Sequence, residues 1–379
     1  MAHSRRNFVQ LAVGGWISSA GVLDQAFFRA ARARAQAAAA PTTLFDIQRV
    51  AEDTYLALAR PAAIINCNAV IYVNARDVLV VDTHSKPSAA AALVAQIRRE
   101  ITPKPVAYVV NTHFHYDHAQ GTRAYRELAP APKVLASEVT RSILAEKGAK
   151  LVQASVENAL RNAETYRRCL GSAAGAEERA FCKRMAGELE DFAREMKSYV
   201  PELPDITFER DLILHERNRD YHLVFRGRAH TASDICVVCP QTKSVATGDL
   251  VVGFIPGMGD GFPHEWPTTL DHLAELPFEQ VLPGHGPLQS DRSRFHQQKA
   301  YIEELNEAVG RAKRGGSSLE ETQRLVTPGT LRTLGDGAFG GYAAKAESAY
   351  RMLPPGTPIA QQIAASVKGN VAASYAQSV

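Results

Sequence analysis

The sequence predicts a layered α/β fold, and three observations carry the prediction. Between residues 63 and 137 strand-like apolar runs alternate with runs of helical spacing. Strand signals return after residue 205, beyond a long charged stretch. Several histidines and aspartates follow directly on strand-like runs, near glycines that let backbone pass close to a bound ion.

The elements follow in order. "AIINCNAVIYVNARDVLVVDTH" (63–84) reads as two β-rich runs joined by a turn at Asn74-Ala75-Arg76-Asp77. "SAAAALVAQIRRE" (88–100) has helical spacing, and the continuous apolar run of "PVAYVVNT" (105–112) predicts a buried strand. Another helix-like stretch runs to about residue 128, and "KVLAS" (133–137) is a further strand. Residues 138–200 are rich in Ala, Glu, Arg and Leu and predict a helical hairpin broken at "GSAAGAEE" (171–178) and closed by "PELP" (201–204). "DLILHE", "DYHLVFRG", "DICVVCP" and "KSVATGDL" are short strands bounded by turn residues. From residue 289 the spacing is mostly helical, punctuated by "GGSS" (315–318) and "PPGTP" (354–358).

The chain has 379 residues, 45% hydrophobic and 22% charged, enough for a large core. The formal charge of +3 is unevenly placed. Arg5, Arg6, Arg29, Arg32 and Arg34 face only Asp24 within residues 1–37, so the remainder is close to neutral. Such a body offers no footprint for nucleic acid.

Residues 1–37 do not read as part of the fold. "SRRNFVQ" (4–10) sets a twin arginine before the apolar run "LAVGGWISSAGVL", and Ala35-Gln36-Ala37 offers a small-x-small cleavage site. The segment resembles a twin-arginine export signal. It implies use of the twin-arginine export machinery, removal up to about Ala37, and a periplasmic mature protein. The apolar run, broken by Gly14, Gly15 and Gly21, is too short for a permanent membrane anchor.

The chemistry concentrates in "NTHFHYDHAQG" (111–121), where His113, His115, Asp117 and His118 fall within six positions. Imidazole and carboxylate together suit Zn²⁺, and also Fe or Mn. His113 and His115 share a side if the strand persists that far. Four adjacent protein ligands on one ion would strain its geometry and close the site. A pair of metals, each completed by distant residues, fits better. Candidates are His230 in "GRAHTASD", Asp249 in "VATGDL" and His285 in "VLPGHG", each just after a strand-like run.

"HFHYDH", His230, "GD" at 248–249 and "PGHG" at 284–287 together resemble the metallo-β-lactamase superfamily, over roughly residues 42–310. "VVDTH" (80–84) matches an early strand-end aspartate of that family and brings Asp82 near the site. The resemblance implies a four-layer αββα sandwich. It would span 42–314, with a helical insertion at about 138–200 and a helical C-terminal extension at 315–379. It implies His113, His115 and His230 on a first Zn²⁺, Asp117, His118 and His285 on a second, and Asp249 bridging the two. The implied activity is attack of a metal-bridging hydroxide on a small-molecule ester, thioester, lactone or lactam, with Asp117 orienting the hydroxide or shuttling its proton. Asp82 and His84 are candidates for positioning ligands, although His84 reads more simply as a turn residue.

Two features depart from the family pattern: the long gap between His118 and His230, and the tail after 315. The "GD" form of Asp249 resembles the glyoxalase II-like and exported zinc hydrolase branch more than the true β-lactamases. The alternatives are a mononuclear iron enzyme similar to the persulfide dioxygenases, a true β-lactamase, and a non-catalytic binding module. Phe254, Ile255, Met258, Phe262 and Trp266 stand in a Gly-rich run that could line a substrate pocket or fill the core. Cys236 and Cys239, three apart on a strand, are expected on opposite faces, which leaves little room for a redox or zinc role. Cys169 and Cys182 flank the hairpin turn, where a bridge could form in an oxidising compartment.

Overall fold

The computed structural model describes residues 44–60, 67–173, 175–335 and 359–378. The export-signal expectation for residues 1–37 lies outside them. Two sheets face each other. In the first, the strands lie in sequence order: β1 (Phe45–Ala51), β2 (Thr54–Ala59), β3 (Ala69–Val73), β4 (Val78–Val81), β5 (Val106–Val110), β6 (Lys133–Ser137) and β7 (Ile206–Phe208). Pairing is antiparallel through β4 and parallel from β4 to β7. The second sheet runs β12 (Gln280–Pro283), β11 (Ser244–Gly248), β10 (Ile235–Cys239), β9 (Asp220–Phe225) and β8 (Asp211–His215).

The period of two along each strand builds the layers. On β4, Val78 and Val80 face outward, while Leu79 and Val81 face the second sheet. Outward residues pack beneath helix α1 (Pro87–Glu100) through Ala90, Leu93, Val94 and Ile97. Inward residues meet Tyr221, Leu223, Ile235 and Val237 across the sandwich. Two short helices follow β5, α2 (Tyr116–Ala119) and α3 (Thr122–Arg126). Cys236 lies in the outer core and Cys239 between the sheets, on the opposite faces the spacing requires.

The hairpin is made of α4 (Glu138–Ser172) and α5 (Ala176–Met196). The Ser137 side chain caps α4 by accepting from Thr140 N. Cys169 and Cys182 are joined in a disulfide across the turn. The hairpin has its own apolar cluster, with Val152, Tyr166, Met185, Leu189, Phe192 and Met196. Tyr116, from the middle of the histidine motif, belongs to that cluster, its ring 6.4 Å from that of Phe192.

The fourth layer covers the second sheet. It contains α6 (Trp266–Ala274), α7 (Ser293–Arg314), α8 (Leu319–Leu325) and α9 (Ile359–Gln377). Ile363, Val367 and Val371 of α9 share one core with Trp266, Tyr301, Ile302 and Leu305. Among the described residues, no helix is long and apolar enough to cross a membrane.

Candidate metal centre

All seven sequence-derived ligands come together where strands of the two sheets end. β5 stops at Val110, earlier than the expected run to 112, so His113 and His115 stand on a bend and not on a strand. Their rings still lie 4.5 Å apart. Asp117 and His118 come from the one-turn helix α2. Asp249 follows β11 and His285 follows β12, two parallel neighbours, so their side chains arrive side by side. Gly248, at φ +51°, makes the turn into Asp249, and a Cβ there would lie 2.3 Å from Thr112 Oγ1.

The donors form two groups. His113, His115, His230 and Asp249 each turn one ligand atom into a common space, all within 4.8 Å of one another. Asp117, His118 and His285 form a second such group. Asp249 reaches both: Oδ2 lies 3.4 Å from His230 Nε2, while Oδ1 lies 3.3 Å from His118 Nε2 and 3.4 Å from His285 Nε2. Asp117 Oδ2 lies 3.0 Å from His285 Nε2.

The other nitrogen of four histidines is tied to the protein. His118 Nδ1 donates to Asp82 Oδ2 at 2.8 Å. His113 Nδ1 donates to Thr112 Oγ1, which itself donates to Asp82 Oδ2. His230 Nδ1 donates to the Gly257 carbonyl at 3.0 Å, and His115 Nε2 to Asp260 Oδ2 at 3.1 Å. These bonds set the tautomers and leave lone pairs facing inward. His230 Nε2 and His115 Nδ1 therefore oppose each other at 3.1 Å, and buried His113 Nε2 has no hydrogen-bond partner.

Facing lone pairs need a cation between them. For zinc–nitrogen distances of 2.0–2.1 Å, the edge of a tetrahedron is about 3.3 Å, close to the donor separations found here. The residues fit a metal. Burial, with neighbouring positive charge, lowers the pKa of His113, and burial lowers those of His115 and His230, so all three are neutral and ready to ligate. The second group differs. Burial opposes charge on His118 and His285, yet the surrounding carboxylates of Asp117, Asp249 and Asp82 raise His118, and Asp249 and Asp117 push His285 up to about 10. Asp117 and Asp249 are held low by those imidazoles despite burial. In the metal-free protein, protons on these two imidazoles supply the positive charge.

The structure decides several open readings. Phe254, Ile255, Met258 and Trp266 do not line a pocket: they are buried in the outer core, and Trp266 Nε1 donates to the Leu250 carbonyl. Phe262 stacks under Arg228. His84 belongs to neither metal group: it is stacked on Phe45 with Nδ1 donating to the Cys67 carbonyl, and burial lowers its pKa to about 3. Asp82 is the positioning residue the sequence suggested. Asp260 was missed; its one signal is a lone acid in the Gly-rich run. Cys67 lies beside Asp82 and His118, but burial pushes its thiol up to about 12, so it is a neutral wall.

The family model described as "Metallo-beta-lactamase superfamily" matches residues 64–285. Among solved structures, a metallo-beta-lactamase from Pontibacter korlensis is similar, with 18% identity and a TM-score of 0.50, over 68% of this chain and 99% of that one. The DIM-1 metallo-beta-lactamase matches with 16% identity and a TM-score of 0.49, over 68% of this chain and 97% of that one. At 18% identity the Pontibacter korlensis structure speaks to the fold alone.

Proposed function

The chain belongs to the metallo-β-lactamase superfamily, and from that premise we propose that it is a dinuclear zinc hydrolase of a small-molecule ester, thioester, lactone or lactam. Asp249 is the observation that carries this reading, because its two carboxylate oxygens address separate donor groups. His113, His115 and His230 would hold one ion, Asp117, His118 and His285 the other, with Asp249 between them. When bound, such ions supply Lewis acidity and bring the pKa of water toward neutrality.

The chain's own residues do the rest. Asp82 and Thr112 hold His118 and His113 in the ligating tautomer. The neighbouring imidazoles hold Asp117 ionised despite burial, so a carboxylate oxygen can accept a hydrogen bond from the attacking water and orient it. Its Oδ2 is oriented by His285 at 3.0 Å. The aspartate at 249 supports the wider hydrolase branch over a true β-lactamase. We further propose that residues 1–37 direct export to the periplasm through the twin-arginine machinery.

The test is metal counting on wild type and Asp249→Ala, with a screen against a β-lactam, a lactone, a thioester and a phosphodiester. The reading expects two ions per chain in wild type, and a folded variant with fewer ions and little hydrolysis. A wild type saturating at one ion, with Asp249→Ala unchanged in metal content, would overturn it. His113, His115, His230 and Asp249 would by themselves suit one iron, and oxygen consumption by a one-metal protein would favour the oxygenase.

A further inference from the structure

We infer that helix α9 is a positioning element for the first metal group, acting through the loop 256–264, with Asn370 and Gln377 as its positioning residues. The inference rests on the two-group reading of the site given above.

The loop is anchored by Met258, buried in the outer core, and by Phe262 N donating to the Ala229 carbonyl, with a turn from Gly261 N to the Met258 carbonyl. Its run "PGMGDGFPH" (256–264) contains three glycines and no regular hydrogen-bonded element. Yet two of its atoms set the orientation of ligand histidines: the Gly257 carbonyl accepts from His230 Nδ1, and Asp260 Oδ2 accepts from His115 Nε2. Shifting either would swing an imidazole whose other nitrogen faces the metal space.

The loop is held from outside by bonds placed one residue away from those two. Asn370 Nδ2 donates to the Pro256 carbonyl at 2.9 Å, next to Gly257. Gln377 Nε2 donates to the Gly261 carbonyl at 2.7 Å, next to Asp260. Two further ties support the same stretch: Asn306 Nδ2 donates to the Pro263 carbonyl, and His264 Nε2 donates to the Ser374 carbonyl. Ser374 Oγ in turn donates to Asn306 Oδ1 at 2.8 Å.

Generic packing does not require this arrangement. Ile363, Val367 and Val371 already bury the apolar face of α9 in the outer core. Asn370 is only 3% exposed, and a buried amide is unfavourable unless its geometry is satisfied. Its second bond, to Tyr301 Oη at 3.0 Å, fixes it against α7. The amide therefore sets where α9 sits relative to the loop, and the loop sets two imidazoles. α9 lies beyond the 64–285 span of the family match.

The experiment uses the full-length mature protein and zinc alone, titrated against a competing chelator that resolves each ion. Variants are Asp260→Asn, Asn370→Ala, Gln377→Ala and the double variant Asp260→Asn/Gln377→Ala. Partners of a metal-bound histidine change affinity by about 10–100-fold, so Asp260→Asn should weaken the first ion by that order. Asn370→Ala and Gln377→Ala, one bond further out, should weaken it by about 3–10-fold and leave the second ion unchanged. The double variant should lose less than the sum of its parts, since Gln377 acts through Asp260. Cobalt substitution should show an altered first-site absorption spectrum, which a merely structural role would not produce. Gln377, half-buried near the helix end, keeps the test open if Asn370→Ala fails to fold. Unchanged zinc affinity in Gln377→Ala, or equal weakening of both ions in step with lost metal-free stability, would overturn the inference. A wild type with one ion would count instead against the two-metal reading, and the variants would still be read on that ion.

Discussion

Replacing Gly284 with alanine tests the metal centre without touching a ligand. Gly284 lies outside the left-handed region, so alanine is conformationally acceptable there and any penalty comes from contact. Its Cβ would fall 2.7 Å from His118 Cε1, 2.8 Å from Asp249 Oδ1 and 3.0 Å from the Gly248 carbonyl carbon. Carbon atoms pack at about 3.5 Å or more, so the neighbours must yield by roughly 0.7 Å. The backbone cannot recoil easily, because Gly284 N donates to the Gly248 carbonyl and Asn68 N donates to the Gly284 carbonyl. The displacement therefore falls on His118 and Asp249, both buried. Overpacking of this kind costs about 1–3 kcal/mol, which a domain of this size survives. A misplacement near 1 Å costs about 100-fold in rate. The expected outcome is a folded protein that retains the first zinc, binds the second at least about 10-fold more weakly, and turns over about 100-fold more slowly. Chelator competition and a metal-free melting curve measure the first two. Two zinc ions at wild-type affinity, with wild-type hydrolysis, would refute the reasoning.

Three other outcomes are expected. The Cys169–Cys182 bridge, closing a separation of 13 residues, should contribute about 3 kcal/mol by the chain-entropy estimate; equal urea stability of oxidised wild type and Cys169→Ser/Cys182→Ser would contradict this. His118 and His285 are raised above neutrality and so carry protons at pH 7 without metal, whereas His113, His115 and His230 are lowered and do not. Binding of the second zinc should therefore release protons and tighten steeply as pH rises, while the first should be far less pH-dependent between pH 7 and 8; calorimetry in buffers of different ionisation enthalpy reads both, and equal proton release would remove the assignment. Arg5→Lys/Arg6→Lys should strand the precursor in the cytoplasm, and an intact N-terminus on periplasmic protein would rule out cleavage near Ala37.

The candidate ligands were legible because a strand end followed by His or Asp is a local pattern. His113, His115, Asp117 and His118 announce themselves within six positions, and "GD" and "PGHG" repeat the strand-end placement. Asp260 was not legible, because its partner is 145 residues distant and nothing local marks it. The first two strands were missed for a similar reason. β1 is an edge strand whose residues, apart from Phe45, stay half-buried or exposed, so its sequence FDIQRVA lacks the apolar alternation of an interior strand. The sequence left Phe254, Ile255, Met258 and Trp266 undecided because an apolar residue in a Gly-rich run reads alike whether it faces a cleft or a core. The helix packed over that run decides, and α9 comes from about a hundred residues later.

Tyr116 carries a consequence of its own. It sits between two candidate ligands, His115 and Asp117, yet its ring is buried in the cluster of the helical hairpin. The backing of the ligand loop is thus a module that a disulfide fastens at its far end. Under reducing conditions that module relies on packing and the Arg167–Glu190 ion pair, and oxidation adds a covalent tie. The thiol–disulfide poise of the surroundings thereby becomes a mechanical setting for the histidine loop, and two samples of one polypeptide with the same metal content can differ in the stiffness of the candidate metal centre.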